Sequence, residues 1–114
     1  MSLAKKLNFK PGMTALVVNP PPGVDLDDLQ MGGEDTVGVL AFARNLRELD
    51  TKCGAVIQAA KEDRLAWVAY PEAGQLDTDI NRDILWRHLQ KKGIQGVRLI
   101  AIDSVWSALR FRPG

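Results

Sequence analysis

The richest run of reactive side chains is Asp77-Thr-Asp-Ile-Asn-Arg-Asp83, where three carboxylates, a hydroxyl, an amide and a guanidinium fall within seven residues. Ahead of a helix this composition has a plain structural use. Thr78 or Asp79 caps the helix, and acids in its first turn complement the positive end of the dipole. Arg82 does not fit that use, because a cation is disfavoured in a first turn. It is expected either to pair with Asp79, three residues earlier, or to meet a ligand.

The rest of the reactive inventory is thin. One histidine, His88, and one cysteine, Cys53, are too few for the usual transition-metal ligand sets, so neither a metal nor another cofactor is expected. A Ser-His-Asp set could be drawn from His88, Asp103 and Ser104 or Ser107, but no strand-to-helix G-x-S-x-G elbow exists to present a nucleophile. No catalytic residue is assigned. His88, between Ile84, Leu85 and Leu89, reads as a partly buried imidazole bonded to a backbone carbonyl. Cys53 reads as a small core residue and Asp103 as a turn carboxylate. Trp86 projects off the apolar arc of its helix, where it covers a loop, joins a subunit interface or lines a pocket.

These residues need elements to position them. Met13 to Asn19 is a β-branched apolar run between Pro11-Gly12 and Pro20-Pro-Pro-Gly23, the pattern of a buried strand. The proline run forbids an immediate helix, so a rigid loop precedes a brief helical turn over Asp25 to Gln30. Asp35 to Phe42 reads as a strand apolar on both faces. Asn45 with Glu48 three residues on is a variant capping box, opening a helix whose stripe is Leu46, Leu49, Cys53, Val56, Ile57 and Ala60. Arg64 to Tyr70 is a third strand stopped by Pro71. A helix from about Thr78 to Lys92 ends at Gly93. Gly96 to Asp103 and Val105 to Arg112 are joined too tightly for a crossover and predict an antiparallel hairpin. On the last strand Trp106, Ala108, Arg110 and Arg112 alternate with Ser107, Leu109 and Phe111, which suggests an edge position or arginines reaching past the sheet.

Helical crossovers imply a mainly parallel α/β sheet with flanking helices. The first three strands then release their following segments at one end. Asn19, Arg44, Tyr70, Asp79 and Arg82 would share a crevice there, with the two arginines suited to an anionic small molecule. The competing reading ties Arg82 to Asp79, leaves Arg44 in solvent and uses Tyr70 to cap the core.

Composition bounds the class. The chain has 114 residues, enough for one domain spanning 1–114, and 46% hydrophobic residues, enough for a packed core. A formal net charge of +1 provides no field for nucleic acid or a membrane surface, and no run is long enough to span a bilayer. The lone cysteine and the lack of a secretory signal predict a cytoplasmic protein. An unpaired hairpin edge with exposed Trp86 and Trp106 predicts a homodimer or larger homo-oligomer.

Two resemblances extend this reading. Two strand–helix repeats closed by a hairpin, with Lys10-Pro-Gly12 before the first strand, resemble a reduced, Rossmann-like version of class I S-adenosylmethionine-dependent methyltransferases. The chain departs from that family in having Asn19-Pro-Pro-Pro-Gly23 where the family has a glycine-rich cofactor turn. It also lacks the strand that would carry the acidic ribose-binding residue. Leu65-Ala-Trp-Val-Ala-Tyr-Pro71, Thr78-Asp-Ile-Asn-Arg-Asp83 and Ala101 to Pro113 resemble a family of small uncharacterised bacterial proteins, which implies no activity. The expectation is a non-catalytic binding or interaction protein without tight S-adenosylmethionine binding. The alternative is a protein or enzyme using the strand-end crevice for an anionic ligand or nucleotide.

Overall fold

A computed structural model describes residues 3–32, 37–72 and 78–114. The expected strand start at Asp35 and most of the loop after Glu72, up to Asp77, lie outside the described residues. The elements in chain order are α1 (Leu3–Lys6), β1 (Thr14–Val18), β2 (Gln30–Met31), β3 (Gly38–Phe42), α2 (Leu46–Lys52), α3 (Gly54–Lys61), β4 (Leu65–Pro71), α4 (Arg82–Gln90), β5 (Ile94–Ala101) and β6 (Trp106–Pro113).

The strands form one mixed sheet in the order β2-β1-β3-β4-β6-β5. β2, β1, β3 and β4 run parallel, while β6 runs antiparallel to both of its neighbours, β4 and β5. The C-terminal hairpin therefore forms as the sequence predicts, but its second strand is interior. α4 carries the chain from β4 past the place of β6, and the hairpin turn brings β6 back into the gap. The edge on this side is β5, with β2 at the opposite edge, which corrects the expectation of a last strand at the margin. It also buries Trp106, expected to be exposed, against Phe42 with ring centroids 5.2 Å apart in an edge-on contact.

α2, α3 and α4 all pack on one face. There Val39, Ala41, Val68, Leu109 and Phe111 of the sheet meet Leu49, Val56, Ala60, Leu85 and Leu89 of the helices. The opposite face is covered by α1 and the segment around Leu29. Leu7, Phe9 and Leu29 lie over Ala15, Leu40, Phe42, Trp67 and Ala108, and Trp67 Nε1 donates to the Leu7 carbonyl at 3.0 Å. β3 and β4 are buried on both faces, as their unbroken apolar runs require. Gly38 permits their close approach, since a Cβ there would stand 2.6 Å from Leu65 Cβ.

Three local expectations are corrected. The helix after Asn45 is broken at Cys53–Gly54, where glycine is a weak helix former, and resumes as α3. The helical turn at Asp25 to Gln30 is a single Leu29 N–H to Leu26 carbonyl bond, followed by the short strand β2. The α4 cap is Asn81, whose Oδ1 accepts from Ile84 N at 2.9 Å, rather than Thr78 or Asp79.

Candidate functional site

β1, β3 and β4 are parallel, so Val18, Phe42 and Pro71 end at the same edge of the sheet. From β1 the chain leaves over the face that α1 covers, and from β3 it leaves over the helical face. The gap between β1 and β3 is thus the switch point where open α/β sheets hold ligands.

Protein groups fill that gap. Asn19 follows β1 in the left-handed region at φ 57, a conformation its short amide side chain tolerates. Its Nδ2 donates to the Phe42 carbonyl at 3.0 Å and to Glu48 Oε1 at 3.1 Å. The same Glu48 oxygen accepts from Arg44 N at 2.9 Å, and the Arg44 guanidinium grips both carboxylate oxygens, the shortest contact being 2.6 Å. Hydrogen bonding from Arg44 above all holds the Glu48 carboxyl well below the usual range, down to about 2, and Glu48 in turn raises Arg44. The capping box is therefore displaced by one residue. Asn45 Oδ1 accepts from Glu48 N at 2.9 Å as expected, but Glu48 reaches back to Arg44 N.

Asp79 completes this arrangement from a distance of 33 residues, its Oδ1 accepting from Leu46 N at 2.8 Å. It caps α2, so the expected Arg82–Asp79 pair is absent and Arg82 Nε lies 3.6 Å from Asp83 Oδ1. Two of the orphan N–H groups at the α2 N-terminus, those of Leu46 and Glu48, are answered by the chain's own oxygens, Asp79 Oδ1 and Asn45 Oδ1.

The five residues singled out in the sequence thus fall into two groups. Asn19, Arg44 and Asp79 gather at the start of α2. Arg44 also borders a cavity of about 350 Å³ with Pro21, Val24, Asp103 and Trp106, on the α1 side of the sheet. Tyr70 and Arg82 line a groove of about 420 Å³ with Glu72, Asn81, Leu99 and Ser107, on the helical side. Arg44 and Arg82 thus line separate cavities, while Asn19, Arg44 and Asp79 meet at the start of α2. Tyr70 is buried, which pushes its hydroxyl upward, and Ser107 Oγ donates to Glu72 Oε1 at 2.6 Å.

The other candidates have structural partners. His88 Nε2 meets Asp50 Oδ1 at 2.6 Å, tying α4 to α2 through a carboxylate rather than the backbone carbonyl expected. Asp103 Oδ1 accepts from Val105 N and Trp106 N, both at 2.8 Å, and so holds the hairpin turn. Cys53 is fully buried, and burial pushes its thiol up to about 12, far from a reactive thiolate. Among the described residues no group of three or more His, Cys, Asp or Glu side chains could hold a metal ion, and no helix is long and apolar enough to cross a membrane.

The residue that organises this edge, Glu48, entered the sequence reading only as a helix cap. The Arg44–Glu48 spacing of four residues was the signal that could have marked it as an ion-pair hub. No family model, curated protein or solved structure matches the chain.

Proposed function

We propose that this chain is a non-catalytic interaction protein on a reduced, Rossmann-like, methyltransferase-like scaffold, and that it acts as a homo-oligomer. One observation carries the reading: at the β1–β3 switch point the Glu48 carboxylate occupies the donors of Asn19 and Arg44 that a ligand anion would need. Pro20 to Pro22 add to this by removing three N–H donors from the following loop. The strand order, with a hairpin closing a parallel set, supports the scaffold, and a lone buried cysteine suits a reducing cytoplasm.

The surface assigned to assembly is the β5 edge. It is eight residues long, with Val97 47% and Leu99 45% exposed and Trp86 37% exposed on the neighbouring helix. Long apolar edges of this kind are ordinarily covered. The occupant assigned is a second copy, because antiparallel pairing of β5 with itself on a two-fold axis places like apolar residues together. A net charge of +1 per chain adds little repulsion.

Light scattering at high micromolar concentration is expected to give a multiple of the monomer mass, and a monomer mass overturns the assembly. S-adenosylmethionine, S-adenosylhomocysteine and adenosine are expected to leave Tm unchanged. A ligand present at 100 times its Kd would add about 2.7 kcal/mol, so a saturable shift with any of them overturns the non-catalytic reading.

A further inference from the structure

The flank of the sheet far from the switch point carries charges with no structural use. On the face that α1 covers elsewhere, β6 presents Trp106, Ala108, Arg110 and Arg112 in alternation, and Arg110 lies beside Trp67 of β4. Across the hairpin Arg98 is the register partner of Arg110. Directly opposed side chains of an antiparallel pair stand about 5 Å apart at Cβ, where like charges repel.

Among the described residues no carboxylate offsets this repulsion at close range. Among the described residues neither Arg98 nor Arg110 has an ion-pair or hydrogen-bond partner. The acid nearest in effect, Asp63, is held in a forked pair by Arg112 at 3.0 and 3.1 Å and feels Arg110 only through space. Lys6 Nζ donates to the Ala101 carbonyl at 3.2 Å, at the end of β5 three residues beyond Arg98. Arg110 Nε is buried with no acceptor, a donor removed from water with nothing in exchange. Trp67 gives no relief, since its Nε1 is a donor already committed to Leu7.

We propose that Arg98 and Arg110 together bind a single oxyanion, either inorganic phosphate or the phosphate group of a small ester. A tetrahedral oxyanion between the two guanidinium forks cancels their repulsion. Rotation of the terminal torsions of Arg110 toward it also gives Nε the acceptor it lacks. Two unpaired cations on a chain of net charge +1 suit one such group, not a polyanion, which needs an extended basic stripe. The site lies apart from the Glu48 cluster, and although Arg98 belongs to the β5 edge assigned to assembly, oxyanion affinity and oligomer mass are measured separately.

The test titrates the full chain with inorganic phosphate and, in a parallel arm, with glycerol phosphate. Ionic strength is held constant with chloride, and binding is followed by Tm and by calorimetry. Saturable binding with a Kd below about 1 mM is expected in at least one arm. Saturation by the ester alone identifies an ester as the source, and saturation by both identifies the phosphate group itself. Arg98→Gln and Arg110→Met should each weaken binding about tenfold or more. Arg110→Met also removes the orphan donor, so its Tm without phosphate should equal or exceed that of the parent, which separates lost binding from lost folding. No saturation by either compound at about 10 mM, or binding retained in both variants, overturns the site.

Discussion

The two flanks of the sheet handle polarity in opposite ways. At the β1–β3 end, Asn19, Arg44, Asn45, Glu48 and Asp79 form a closed set in which each side chain has a partner inside the protein. On the β5–β6 flank two arginines face each other with no carboxylate partner among the described residues, and the neighbouring edge shows apolar side chains to solvent. An internally satisfied region has less left to offer a ligand, however well its place in the fold suits one. Unbalanced charge and uncovered apolar surface mark where an outside group would lower the free energy. The assembly edge and the oxyanion site proposed above therefore both lie on the hairpin flank rather than at the strand ends.

The largest expected effect tests that difference with one chemical change made twice. Leu40 is fully buried in the middle of β3, and Leu40→Ala should lower unfolding free energy by about 2–5 kcal/mol in urea melts. Leu99 is 45% exposed on β5, and Leu99→Ala should cost less than about 1 kcal/mol in the same measurement under monomeric conditions. Equal losses at the two sites would erase the distinction between a packed flank and an open one.

Glu48 should come next in size. Glu48→Ala removes the side-chain acceptor of Arg44 N and of the Arg44 guanidinium and one of the two acceptors of the Asn19 amide, at a cost of about 1–3 kcal/mol. Its pH signature has a definite sign. The carboxyl titrates near 4.5 when unfolded and is held down to about 2 when folded, so its contribution is complete above pH 4.5 and lost as pH falls toward 2. Glu48→Gln should flatten that part of the acid stability curve while leaving the slope between pH 6 and 8 unchanged. An unaltered acid limb would show that the cluster does not depend on ionised Glu48.

What the sequence made legible follows from the range of the forces involved. The apolar runs Met13 to Asn19, Asp35 to Phe42 and Arg64 to Tyr70, the Asn45 cap and the C-terminal hairpin rest on local patterns, and the described residues hold strands at Thr14–Val18, Gly38–Phe42 and Leu65–Pro71 together with the cap and the hairpin. β2 was missed because two exposed residues, Gln30 and Met31, carry no periodicity and pair only because β1 has an edge to offer. The position of β6 was missed because nothing within its residues records that it pairs with β4, 35 or more positions earlier. That pairing decides which strand is the edge and buries Trp106. At the candidate site, each side chain was visible but its partner was not. Asp79 caps a helix 33 residues away, and Asn81, two residues on from it, takes the role expected of Asp79. Polar side chains choose among near-equivalent donors by tertiary placement, and no local pattern fixes that choice.

The smallest effect is also the most specific to the open flank. Arg98 and Arg110 are direct cross-strand neighbours, and opposite charges at such positions stabilise a sheet by about 0.2–1 kcal/mol relative to neutral pairs. Arg98→Glu should therefore raise unfolding free energy in phosphate-free buffer by an amount in about that range, or slightly more because repulsion is removed as well. Arg98→Gln, which removes the repulsion without adding attraction, should fall between the two. Added salt should narrow the differences, since the residue at position 98 is exposed and its charge is screened. The series is informative because it runs against the usual outcome of substitution, which is loss of stability. A gain on charge reversal means that the natural arginine is less stable at this position than the alternative. A fall in stability for Arg98→Glu at low salt would show that the two guanidiniums avoid each other without help, and would remove the repulsion on which the oxyanion site is argued.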